Sequence, residues 1–212
     1  MKLKFFIIIS IIFIFSTPAS GATGEWYRTY TSAMCSECPD CCYTGKIQRP
    51  VFSKFEISLL EVARTKCKNA RPEKVDMELL KDLLAIEKHL KVPVKYRGAV
   101  LAAACRESGY STQAVGDYGK AVGILQMWPW WKSKFKVNRH DPRASASAWI
   151  SQILKSVNKA ARKCNKRTAF VNAWAWVASG PKGWKCRAPR HYTKLKSWHR
   201  LVRKELALNV RR

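Results

Sequence analysis

Glu107 is the side chain of this sequence best placed to deliver a proton. It follows a run of small and apolar residues, Ala99-Val100-Leu101-Ala102-Ala103-Ala104-Cys105, and Gly109 stands just beyond it as a helix stop. A carboxylate at the tip of an apolar helix is backed by core and open at its end, which suits a general acid. Beyond residue 90 there are only four acids: Glu107, Asp117, Asp141 and Glu205. Asp141 precedes Pro142 and reads as a helix N-cap with proline at the first helical position. Glu205 sits in a C-terminal stretch crowded with Lys and Arg. That leaves Glu107 and Asp117, both in a glycine-punctuated segment ending at Gln126. Their types suit acid–base chemistry; the plainer alternative is that Glu107 pairs with a surface Arg and Asp117 caps a turn.

The elements that must hold these residues are helices. A short helix is expected over 56–66. A stronger one opens at Pro72, with Val75, Leu79, Leu80, Leu83, Leu84, Ile86 and Leu90 at helical spacing, and ends at Val92-Pro93-Val94. The next, over 95–108, carries Glu107. Asp141-Pro142 starts a helix with Trp149, Ile150, Ile153, Leu154 and Val157 on one face. Two more are expected over 167–178 and 190–208. No alternating strand pattern, internal repeat or low-complexity linker is present. The fold class is all-α, with at most a small β element near the glycine-rich loop.

Glu107-Ser108-Gly109, followed by Gly116-Asp117-x-Gly119-x-Ala121-x-Gly123-Ile124-Leu125-Gln126, resembles the active-site signature of the lysozyme-like superfamily. Soluble lytic transglycosylases and goose-type lysozymes are the nearest types. The likeness is close over about 20 residues and loose from about 75 to 200. It implies a lysozyme-like helical catalytic domain over 71–212 that cleaves peptidoglycan. Glu107 would be the acid that protonates the leaving oxygen. The goose-type comparison gives Asp117 the role of a water-positioning base; a turn cap is the alternative. Ser108 would bond near the glutamate or the substrate's N-acetyl group, or only to its own helix backbone. Gln126 would face the sugar, and Tyr118 is a further candidate substrate contact.

One segment departs from the pattern. Transglycosylases carry a late Ala-Tyr-Asn-Ala-Gly-Pro block whose tyrosine bonds the catalytic glutamate; here the chain reads Ala175-Trp176-Val177-Ala178-Ser179-Gly180-Pro181. Trp176 takes the tyrosine position, but an indole only donates. Tyr110, Tyr118 and Tyr192 are the candidates for the missing hydroxyl. Trp128, Trp130, Trp131 and Trp184 lie in loop-like stretches suited to stacking on sugar faces. Trp149, Trp174 and Trp198 fit core stripes.

The N-terminus has Lys2 and Lys4, an apolar run over 5–15 and a small-residue stretch ending at Ala22, as in a secretory signal peptide over 1–22. An uncleaved anchor is the alternative. Export to a secreted or periplasmic location follows, and there eight cysteines favour disulfides. Residues 23–70 read as a Cys-rich, disulfide-stapled extension, with Cys35, Cys38, Cys41 and Cys42 as staples rather than zinc ligands. Cys105 is expected in a disulfide that pins the helix of Glu107. The histidines show no metal-binding spacing, so no metal or other cofactor is implied.

Forty Lys and Arg against fourteen Asp and Glu give a net charge of +26, or +24 once Lys2 and Lys4 leave. Residues 182–212 alone hold eleven Lys or Arg and one acid. Such a charge calls for a polyanionic neighbour. The expected partners are peptidoglycan glycan strands and an anionic cell-wall or envelope surface, with no specific nucleic acid and a monomeric chain. The rival reading is a non-catalytic basic protein that binds wall glycan or nucleic acid.

Overall fold

In a computed structural model, residues 50–180 and 185–209 are described. The architecture is all-α with one small hairpin. Helix α1 (Lys54–Thr65) opens on a capping box: Glu56 N–H donates to Ser53 Oγ, and Ser53 N–H donates to the Glu56 carboxylate. A 3₁₀ turn (Pro72–Lys74) precedes α2 (Met77–His89). The helix expected from Pro72 is thus split. Val75 is extended, and Asp76 takes the N-cap, its carboxylate accepting the Glu78 N–H at 2.9 Å.

Helix α3 (Ala99–Ser108) begins later than the expected 95, because Gly98 at φ 90° separates it from a 3₁₀ turn (Val94–Tyr96). Glu87 of α2 reaches across that break, accepting N–H bonds from Gly98 and Val100 at 2.5 Å each. Strands β1 (Val115–Gly116) and β2 (Ala121–Val122) form an antiparallel pair with Val115 opposite Val122. Then come α4 (Pro129–Phe135), α5 (Pro142–Lys163), α6 (Ala169–Ser179) and α7 (Arg190–Asn209). Trp128-Pro129-Trp130-Trp131, expected as loop, therefore starts a helix, with Pro129 at its first position.

Helix α3 runs through the middle of the core, buried from Ala99 to Cys105. Its run of alanines lets neighbouring helices come close. Helix α7 lies against α1 and α3, α2 packs on α3 and α5, and α5 lies along α6. Trp174, Leu59, Leu83, Leu101, Ile150 and Leu195 are fully buried at the joins. Burying side chains of this size stabilises by about 1.5–3 kcal/mol each before chain entropy is counted.

Disulfides join Cys67 to Cys105 and Cys164 to Cys186. Leu59, Leu60 and Ala63 of α1 belong to the core, so the packed body begins before residue 71, where the catalytic domain was expected to start. The leader expected over 1–22, the cluster Cys35 to Cys42 and Trp184 lie outside the described residues.

Candidate active site

Three ties fix the end of α3. The Cys67–Cys105 disulfide lies two residues before Glu107. The Asn69 amide donates to Arg106 O at 3.1 Å, satisfying a terminal carbonyl. Gly109, at φ 61°, stops the helix where a Cβ would fall 2.0 Å from Asn69 O, so only glycine fits. Tyr110 then turns inward and donates its hydroxyl to Ala63 O at 3.1 Å.

The Ser108 hydroxyl contacts Ala104 O at 3.1 Å and Ile124 O at 2.8 Å. It joins the end of α3 to the segment after β2. Gln126 braces the same segment, its amide donating to Ala114 O and Gly123 O, each at 3.0 Å. Arg139 adds a third bracket, donating to Lys120 O at 2.8 Å and Met127 O at 2.9 Å. Within this bracketed loop Asp117, Tyr118 and Gln126 hold left-handed backbone conformations, at φ 47°, 55° and 47°. Such conformations persist in side-chain-bearing residues only where the surroundings impose them, and they concentrate at functional sites.

The α3 tip, this loop, α4 and the end of α6 enclose a cleft of about 680 Å³. Glu107, Asp117 and Gln126 all line it, with Trp128, Trp130 and Trp149 among the aromatic residues of its wall. The Glu107 side chain is 35% exposed. Trp128 is exposed, with the Lys120 ammonium 5.9 Å from its ring centre. Among the described residues, Asp117 and Glu107 are the only acids lining the cleft. The Asp117 carboxylate has no hydrogen bond or ion pair with the described residues, so it caps no turn there.

Glu107 has a partner that the sequence did not suggest. His191, in the first turn of α7, is buried and puts Nε2 2.6 Å from Glu107 Oε1. Its ring lies parallel to that of Trp174, with centres 6.1 Å apart. Nearby Lys194 of α7 sits with Nζ 3.2 Å from Cys105 Sγ. Burial, then the neighbouring charges of Arg106 and Lys68, hold that ammonium below the usual lysine range.

The sequence expectations therefore divide. Glu107, Asp117 and Gln126 come together at one cleft. Ser108 stands behind the wall with its hydrogen committed to backbone carbonyls. Tyr118 is fully exposed and does not line the cleft. Trp176 is buried and donates its indole N–H to Lys185 O at 3.1 Å, while its neighbours Val177 to Gly180 line the cleft. Helical geometry turns residue 176 inward, and its indole N–H is spent on Lys185 O rather than offered to the cleft. Neither Tyr110 nor Tyr192 lines the cleft, and His191 occupies the contact instead. The signal for His191 lay in sequence as a histidine in the first turn of an otherwise basic terminal helix. Trp131 is buried, and Trp174 and Trp198 are core as expected.

Among the described residues, no group of three or more His, Cys, Asp or Glu side chains is arranged to hold a metal ion. No described helix is long and apolar enough to cross a membrane. No family model, curated protein or solved structure matched the chain.

Proposed function

We propose that this chain is an exported glycosidase that cuts the β-1,4 bonds of peptidoglycan between N-acetylmuramic acid and N-acetylglucosamine. One observation carries the reading: a part-exposed carboxylate, Glu107, on a rigidly tied helix end, opening into a tryptophan-walled cleft that contains a second carboxylate. Glycoside cleavage needs a proton on the leaving oxygen as positive charge grows on the sugar ring. Glu107 supplies that proton. The aromatic wall suits the flat apolar faces of sugar rings.

Two routes complete the reaction. In hydrolysis, Asp117 takes a proton from water as that water attacks the sugar carbon. In transglycosylation, the sugar's own C6 hydroxyl attacks and a 1,6-anhydro end forms. The uncommitted Asp117 carboxylate in the same cleft favours hydrolysis. The excess of positive charge supports a partner rich in carboxylates or phosphates, such as the wall itself.

The test is digestion of purified walls with the protein and with Glu107→Gln. Release of muropeptides is expected from the first and a loss of at least about 100-fold from the second. Mass spectrometry should find reducing ends. The same charge favours the rival reading of a non-catalytic wall-glycan or nucleic-acid binder. Salt-sensitive retention on walls, with no bond cleavage by either protein, would establish that rival.

A further inference from the structure

We propose that His191 is the positioning residue of the site: its Nε2–H pins Glu107 Oε1 and so leaves Oε2 to carry the transferred proton. This rests on Glu107 being the acid. His191 is 8% exposed in its side chain, and Nε2 stands 2.6 Å from Oε1. A contact that short needs one proton between the two atoms. Nδ1, by contrast, is buried and has no hydrogen-bond partner among the described residues.

That asymmetry selects a tautomer. A ring proton on Nδ1 would leave a buried N–H unpaired and would give Nε2 only a lone pair to offer. A ring proton on Nε2 has an acceptor in Oε1 and leaves only a lone pair unmet on the other side. Of the two neutral tautomers, the contacts therefore select Nε2–H. A donor fixed on Oε1 fixes the carboxyl plane and directs Oε2 towards the cleft. When Oε2 gives its proton to the glycosidic oxygen, the charge left on the carboxylate is met by the N–H already in place. In the second half of the reaction Oε2 is ready to take a proton back.

The fold holds this donor still. Trp174 stacks on the imidazole, and Lys194, one turn along α7, rests on the disulfide sulfur of Cys105.

Two measurements test the assignment, one of them independent of turnover. Nitrogen NMR of the intact protein should find His191 in the Nε2–H tautomer, and Glu107→Gln should shift that resonance. An Nδ1–H tautomer, or a resonance indifferent to Glu107→Gln, overturns the proposal whatever the protein cleaves. On peptidoglycan, His191→Phe keeps the ring stacking and loses the donor. It should lower kcat roughly 10- to 100-fold with KM changed less than about threefold. His191→Gln places an amide N–H near Nε2 and should restore most of kcat. Unchanged kcat in a folded His191→Phe overturns the proposal, while leaving Glu107's own role to the Glu107→Gln assay.

Discussion

At the scale of single residues, the cleft presents two carboxylates in unlike settings. Glu107 is anchored by a neighbouring imidazole; Asp117 projects from a strained loop with nothing holding its oxygens among the described residues. On the proposed reading, the first presents a proton in a fixed direction and the second engages water. Asp117→Asn is a clean probe, because asparagine tolerates the left-handed backbone as well as aspartate does. For a hydrolase we expect kcat to fall about 100-fold or more while the thermal midpoint stays within about a degree. Measured kcat near that of the native chain, with anhydro ends on the products, would move the reaction to transglycosylation.

At the scale of elements, the join between α2 and α3 is electrically unusual. Glu87 is fully buried and caps α3 through the N–H groups of Gly98 and Val100. Burial pushes its carboxyl up to about 7, against the pull of those two N–H groups and of Arg97. An unfolded glutamate releases its proton near 4.5. Between those values the native chain holds a proton that the unfolded chain has shed, so this group's contribution falls as pH rises from about 4.5 to about 7 and is level above. The drop amounts to roughly 3 kcal/mol. His199 acts oppositely: burial lowers its value, so its contribution is lost as pH falls below the usual histidine range. Urea unfolding at pH 5 and pH 8 should show Glu87→Gln relatively more stable at pH 8 than the native chain. Equal pH slopes for the two proteins would contradict this account.

The same scale explains what could be read beforehand. The helices of Trp149 and Trp198 were legible because their apolar residues recur at helical spacing and a strong cap or a turn bounds them. The break at Val75 was not, since a proline start and an aspartate cap compete four residues apart and only packing decides. Trp128 to Trp131 read as loop because aromatic and proline content masks a seven-residue helix. At the site, Glu107, Asp117 and Gln126 were visible through a local motif. His191 was not, because its contact spans 84 positions and depends on how α7 crosses α3. The burial of Trp176 was hidden for a related reason: a one-residue change of phase on a helix exchanges a cleft face for a core face.

At the scale of the whole molecule, the chain is a helical body closed by crosslinks. Cys67–Cys105 encloses 38 positions and ties α1 to the helix of Glu107; Cys164–Cys186 ties α5 to the start of α7, where His191 sits. Replacing Cys67 and Cys105 together by alanine should cost roughly 4 kcal/mol of stability, on the chain-entropy model for a loop of that length. With Glu107 as the proposed acid, kcat should fall further than KM rises, because the crosslink steadies the α3 tip more than the rest of the cleft. A calorimetric midpoint unmoved by the double replacement would show that packing alone holds α3.

Cys67 and Cys105 also set a chemical condition on when Glu107 is held in place. Thiols persist where glutathione keeps them reduced and couple where it does not. On the proposed reading, the aim of the acid is thus tied to the redox state of its surroundings: a chain in a reducing compartment lacks the clasp that an oxidising one supplies.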